Sequence, residues 1–421
     1  MSAPGADVAG NVATAHPYQA YQSALESLLR ELVECEITLV QEGQSRVFGT
    51  PSGPDPIRLH VRVHDPEMFR RIALGGSVGV AEAYMEGQWT SDDLVGLVRI
   101  FLRNRDLLDR METGVARIAG TLLRFWHSLR RNTAGGSKKN IAAHYDLGNP
   151  LFKLFLDDNL MYSSALYADP SESLEVASRR KLDRICQKLD LQPGDRVMEI
   201  GTGWGGFALH AAQHYGCHIT TTTISAEQHD LAAQRIGAAG LADRVTLLKS
   251  DYRALTGKFD KLVSIEMIEA IGHQYLGTYF GKIDELLTEE GAALIQAITI
   301  EDYRYERALT DIDFIKRHIF PGSFIPSVGA MCNAVAKSSR LRLINLEDIG
   351  DSYALTLREW RKRFLARLPE VRALGYPERF VHMWDYYLAY CEGGFMERTI
   401  GDVQMLLAKP RNRRAQFVPA P

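Results

Sequence analysis

The chain has 421 residues, 46% hydrophobic and 24% charged, an ordinary globular composition with length for roughly two to three domains. Its 49 Lys+Arg and 52 Asp+Glu leave a net charge of −3, which excludes a strongly basic nucleic-acid binder. Five cysteines without a CxxC pair argue against a disulfide framework and structural zinc and for a reducing compartment, and no metal is expected. The small, polar N-terminus does not read as a secretory signal, and no stretch of 18 or more apolar residues occurs. The expected location is the cytoplasm.

Residues 1–17 read as a flexible N-terminus. Residues 18–34 have amphipathic helical spacing. The segment ITLVQEGQSRVFGTPSGPDPIRLHVRV alternates around a Gly/Pro-rich turn and predicts two short strands. MFRRIALGG and VGVAEAYMEG predict helices, each broken by glycine. Together these make a first unit over 18–95 of mixed α+β character. Residues 96–139 form a basic helical segment and linker, with ten Lys/Arg against three Asp/Glu, so the rest of the chain carries −10. Arg103, Arg110, Arg117, Arg124 and Arg131 recur every seven residues, and on a helix each such step drifts by only about 20°. This stripe suits an anionic membrane surface. It suits equally a solvated face docked on the acidic remainder.

From residue 140 strands and helices alternate, which predicts a mainly parallel sheet. The tail from about residue 321 reads as helical and aromatic-rich, with Phe380, Trp384, Tyr386, Tyr387, Tyr390 and Phe395 at mostly core spacing. Residues 410–421 form a basic C-terminal tail.

The strongest local motif is VMEIGTGWGG, an apolar strand running through Glu199 into Gly201, Gly203, Gly205 and Gly206 and then a helix. Glycines let the backbone turn tightly and approach a ligand, and the helix start offers free N–H groups. The G-x-G-x-G-G spacing differs from the dinucleotide-binding fingerprint. With the second strand and Asp251-Tyr252 after a third, the order resembles the class I S-adenosylmethionine-dependent methyltransferases, which have a Rossmann-like, mainly parallel seven-stranded sheet. That resemblance implies that the first loop wraps the methionine part and that Asp251 meets the adenine, with a plain surface turn as its other reading. The second strand ends in TTTTIS and not in an acidic residue, so Thr223 and Gln228 would meet the ribose.

Within that class, residues 140–409 resemble the cyclopropane fatty acid synthases and mycolic acid methyltransferases. The motifs are IAAHYDLGNPLF (141–152), MYSSALY (161–167), MEIGTGWGGFA (198–208), TISAEQ (223–228), SIEMIEAIG (264–272) and FIKRHIFPGSFIPS (314–327). Residues 58–103 also resemble the N-terminal domain of the phospholipid-acting members, which makes 18–95 a lipid-associated domain.

The resemblance implies transfer of a methyl from S-adenosylmethionine to a cis double bond of an unsaturated phospholipid acyl chain, then deprotonation of the carbocation by bound bicarbonate to close a cyclopropane. Glu269 corresponds to the carboxylate that orients the bicarbonate, with a helix-cap acid as the alternative. Ile298 matches a backbone donor to the anion, and Tyr353 the site tyrosine or else a core tyrosine. Tyr162 and Ser163 match the segment over the cofactor. Ser164 stands where Cys is usual and Gln296 where His is usual, and Glu266 stands where a smaller residue is usual. A methylene- or methyl-branched product, a non-catalytic lipid-binding relative and a soluble small-molecule methyltransferase are the alternatives. Peripheral association with the inner membrane surface and a homodimer are further expectations.

If Arg110, Arg117, Arg124 and Arg131 form a membrane face, replacing Arg110, Arg117 and Arg124 with Gln weakens sedimentation with anionic vesicles, and added salt weakens wild-type binding. Unchanged sedimentation removes the membrane role from this stripe.

Overall fold

The computed structural model describes residues 17–107 and 147–414. Arg110, Arg117, Arg124 and Arg131 lie outside these residues. Arg103, the first of that series, is engaged inside the protein, its Nε 3.0 Å from Glu397 Oε1.

The N-terminal unit comprises α1 (Gln19–Leu29), β1 (Cys35–Gln41), β2 (Gln44–Phe48), β3 (Ile57–Val63), α2 (Glu67–Met85), β4 (Trp89–Ser91) and α3 (Leu94–Arg103). Its sheet has the order β2-β1-β3-β4. The sequence pattern predicted two strands about one Gly/Pro-rich turn, whereas the segment makes three. Glu42 and Gly43, at φ 51° and 77°, form a two-residue reversal whose twist suits an antiparallel hairpin, so β1 and β2 pair directly, Gln41 opposite Gln44. The Gly/Pro-rich stretch instead carries the chain to β3, which lies parallel to β1. Strand β3 alternates buried and exposed residues along its whole length, as a sheet with one solvated face requires. Helix α2 is one span broken at Gly76, whose φ of 56° and ψ of −139° are not helical. Asp93 caps α3 by accepting from the Gly96 N–H at 2.7 Å.

The second unit is an α/β sandwich around a seven-stranded sheet. Its elements are α4 (Leu174–Leu189), β5 (Arg196–Ile200), α5 (Gly206–Tyr215), β6 (His218–Thr222), α6 (Ala226–Ala238), β7 (Val245–Leu248), β8 (Phe259–Ile265), α7 (Leu276–Leu286), β9 (Leu287–Ile300), α8 (Val328–Ser338), β10 (Arg342–Asp348), α9 (Gly350–Ala366), α10 (Glu378–Met396) and β11 (Ile400–Ala408). The strand order is β10-β11-β9-β8-β5-β6-β7. Strands β5 to β9 pair in parallel, and β11 alone runs against the rest. The helical tail read from the sequence therefore also supplies β10 and β11, strands set by pairing with β9 over a long separation rather than by local pattern. The helix starts are chemical: Ser173, Ser225 and Ser327 accept from the N–H three residues on. All five cysteines are unpaired. Among the described residues, no helix is long and apolar enough to cross a membrane.

Helix α10 joins the two units. One core cluster runs without a break from Phe69 and Trp89 through Ile100 to Trp360, Trp384 and Phe395. Between the helices sits Asp385, whose carboxylate accepts from Tyr84 Oη at 2.6 Å and from Arg361 Nε at 2.6 Å. Gly393 lets α3 approach, since a Cβ there would lie 2.7 Å from Val98. Truncating Asp385 strands a buried phenol and a guanidinium, so Asp385→Ala costs about 3 kcal/mol. The measurement is the urea unfolding midpoint, and Asp385→Asn, which keeps an acceptor for Tyr84, loses less.

Candidate active site

Parallel α/β sheets place their ligand crevice beyond the carboxyl ends of the strands. Here that crevice opens into a cavity of about 1090 Å³, beyond the ~300–1,000 Å³ usual for one small molecule. Glu199, Gly201, Gly203, Thr223, Gln228, Asp251 and Tyr252 line it from β5, β6 and β7, and Tyr162 and Ser163 from the preceding loop. From the other side come Leu74, Gly76 and Val78 of α2, Phe101 of α3, and Tyr386, Tyr387 and Tyr390 of α10. The aromatic tail residues are thus both core and cavity wall.

The Gly-rich loop is shaped for close approach. Gly201 and Thr202 donate to Thr222 O at 3.1 and 3.0 Å, tying the loop to β6. Gly201 and Gly203 adopt φ of 101° and 53°. A Cβ at Gly203 would meet no protein atom within 4 Å and would therefore intrude on whatever fills the cavity. Gly205 is not part of the wall; at φ 84° it is the N-cap of α5. Glu199 accepts from Thr221 Oγ1 at 2.6 Å, and burial pushes its carboxyl up to about 8. Thr223 Oγ1 donates to Gln228 Oε1 at 3.0 Å, which leaves the Gln228 amide N–H groups for a ligand. Asp251 holds Arg253 in a fork, at 2.8 and 2.7 Å, and that guanidinium lies over the rings of Tyr252 and Tyr275.

The remaining candidate residues converge on a side chain whose role the sequence left open. Glu266, at the end of β8, keeps accessible surface and lines the cavity. Its Oε1 accepts from the Ser164 N–H at 2.9 Å and from Gln296 Nε2 at 2.8 Å, and its Oε2 from Tyr353 Oη at 2.6 Å. Gln296 is oriented in turn: Gln404 Nε2 donates to its Oε1 at 3.2 Å, and its Nε2 also reaches Asp402 Oδ2 at 2.9 Å. Ser164 and Gln296 are fully buried and lie outside the cavity wall. Ile298 N–H donates not into the cavity but to Glu269 Oε1, at 2.7 Å. Glu269 and Tyr353 do line the cavity. Burial, and then the Glu266 charge, push Glu269 up to about 8, so it holds a proton at neutral pH. Its Oε2 has no partner among the described residues.

A bicarbonate does not fit these residues. Four of the five groups expected to hold it are spent, three on Glu266 and the Ile298 N–H on Glu269, which leaves only one oxygen of Glu269 itself.

Two buried groups escaped the sequence reading altogether. Lys181 on α4 is fully buried and donates to Ser163 Oγ at 2.7 Å. Burial lowers it to about 8, while the charges of Glu266, Asp157, Asp402 and Glu199 hold its proton on. Asp402 on β11 is raised by burial and then by the Glu266 and Glu269 charges. Among the acids of this chamber, Glu266 is the strongest charge partner of Lys181. The rings of Tyr162, Tyr353, Tyr387 and Phe395 line the same chamber, Tyr353 and Phe395 stacked at 4.4 Å, and aromatic faces stabilise cations without offering a nucleophile.

Fold and site define a class I S-adenosylmethionine-dependent methyltransferase, and comparison with known proteins agrees. The family model described as mycolic acid cyclopropane synthetase matches residues 133–405. The chain is 38% identical over 371 residues to tuberculostearic acid methyltransferase UfaA1 of Mycobacterium tuberculosis, covering 86% of each chain. It is 38% identical over 359 residues to the cyclopropane-fatty-acyl-phospholipid synthase of Escherichia coli, covering 83% of this chain and 87% of that one. Among solved structures it is similar to the mycolic acid cyclopropane synthase CmaA1 complexed with SAH and CTAB, with a TM-score of 0.60 and 27% identity over 65% of this chain and 98% of that one. The chain belongs to the cyclopropane synthase family of methyltransferases acting on lipid acyl chains.

Gly203→Val tests the cofactor loop. The left-handed φ costs a side chain about 1–2 kcal/mol of stability, and the isopropyl group lowers affinity for S-adenosylmethionine by about tenfold or more. Calorimetric titration of a folded variant that binds normally would reassign the loop.

Proposed function

We propose that this protein transfers the methyl of S-adenosylmethionine to a cis double bond in an acyl chain of an unsaturated phospholipid, forming a cyclopropane. The supporting observation is the single cavity that joins the Gly-rich loop to an apolar arm between α2, α3 and α10. In this reading Gly201, Gly203, Gln228 and Asp251 hold the cofactor, which supplies an electrophilic methyl. The apolar arm takes the chain and excludes water. Arg70, Arg71, Arg105, Arg304 and Arg307 also line the cavity and offer charge to a phosphate headgroup. An olefin is a poor nucleophile, so holding it near the methyl supplies most of the rate, and the Tyr162, Tyr353 and Tyr387 rings face the cation that results. Peripheral contact with the inner membrane surface belongs to the same reading, because the substrate lies in a bilayer.

A second product, a methylene-branched chain, follows from the same methyl transfer if a neighbouring hydride shifts before the proton is removed, after which proton loss leaves an exocyclic double bond.

Labelled S-adenosylmethionine and dioleoyl phosphatidylglycerol vesicles separate these outcomes. The expected result is one carbon and two hydrogens gained per chain, with high-field cyclopropane protons by NMR. Vinylic methylene signals assign the branched product instead, and no label in the lipid refutes the reading.

A further inference from the structure

The geometry points to Glu266 as the base of the reaction, a carboxylate built into the chain in the place of a free bicarbonate. This rests on the methyl-transfer reading above and specifies its proton-removing step.

Three observations carry it. First, the donors Ser164 N–H, Gln296 Nε2 and Tyr353 Oη form an anion cage, and the anion in it is the Glu266 carboxylate, at 2.6 to 2.9 Å from all three. Second, Glu266 lines the cavity while Ser164 and Gln296 stand behind it. Any further anion in the chamber would meet the back of a carboxylate and not the donors. Third, Glu266 has φ 48°, a left-handed conformation that costs a side chain about 1–2 kcal/mol and costs glycine nothing. Strain of this kind persists where the surroundings over-determine it, and it gathers at functional sites. Here the N–H of Glu266 also bonds Gln296 O at 2.9 Å, so the backbone and side chain of Gln296 together fix the residue.

The step balances without another reactant. A C–H bond of the transferred methyl breaks, its proton goes to a Glu266 oxygen, and its electron pair closes onto the cationic carbon. Ring closure makes a carbon–carbon single bond. After a hydride shift, the same pair makes the methylene double bond. The neutral Glu266 then loses its proton to solvent before the next turnover. Tyr353, stacked on Phe395 and bonded to Glu266, holds the carboxylate beside the aromatic wall.

The test compares wild type, Glu266→Gly and Glu266→Gln in buffers stripped of carbon dioxide or supplemented with bicarbonate. Thermal melting and S-adenosylmethionine binding show that each is folded and loaded. Wild-type turnover on oleoyl phospholipid is expected to be the same in both buffers. Glu266→Gly relieves the strained φ but strands the three donors, so it melts somewhat lower than wild type while remaining folded. It loses about 100-fold or more in turnover in stripped buffer, the range for a lost general base, and added bicarbonate restores part of the rate by entering the vacated cage. Glu266→Gln is equally slow and is not rescued, because its amide still fills the cage. Wild type that works only with bicarbonate overturns the assignment of the base alone, as does a Glu266→Gln enzyme of full activity. Wild type that transfers no methyl in either buffer overturns the reading of function itself, and this assignment with it.

Discussion

The cavity exists because α10 is packed from both sides. Its buried residues face the N-terminal helices on one flank and α9 on the other, and Asp385 at its middle is satisfied by one donor from each, Tyr84 and Arg361. Two units with separate sheets thereby share one continuous core. The tyrosines that follow Asp385 on α10, Tyr386, Tyr387 and Tyr390, can form a wall because the helix beneath them is held. Without that docking the apolar arm would be an open groove, and whatever it holds would meet water.

Electrostatics impose the complementary requirement. Acids buried around the cavity must be hydrogen-bonded or held protonated. Glu199 is bonded by Thr221 and Glu266 by three donors, while Glu269 is held protonated with one oxygen on the Ile298 N–H. Lys181 is the counter-charge that makes this density of acids tolerable, since burying charges without a partner costs several kcal/mol each. Its ammonium donates to Ser163 Oγ at 2.7 Å.

Much of this was legible in the sequence, and the divide follows the range of the interactions. The Gly-rich loop is local: a strand, four glycines and a helix start within ten residues specify their own geometry, and the residues named from it lie at the cavity, apart from Gly205. The alternation of strands and helices likewise announced the parallel sheet. What stayed hidden depends on partners far along the chain. Glu266 is given meaning by Ser164, Gln296 and Tyr353, which lie 102, 30 and 87 residues away. Read separately, each was a substitution or a site residue aimed at an external anion. Lys181 and Asp402 sit in unremarkable stretches, and only burial makes them notable. The N-terminal hairpin was misread for another reason: the Gly/Pro-rich stretch outweighed Glu42-Gly43, although the shorter pair carries the turn geometry.

The left-handed backbone at Glu266 has a further consequence. A base covalently attached as a side chain has no binding equilibrium, so its occupancy does not follow the supply of a dissolved ion. Acid growth conditions convert bicarbonate to carbon dioxide and would empty a site that relied on it, whereas a tethered carboxylate stays at a fixed local concentration. Because glycine occupies the same φ without cost, the proposed role makes a Glu-to-Gly exchange at this position the step between a rate independent of the inorganic carbon pool and one tied to it.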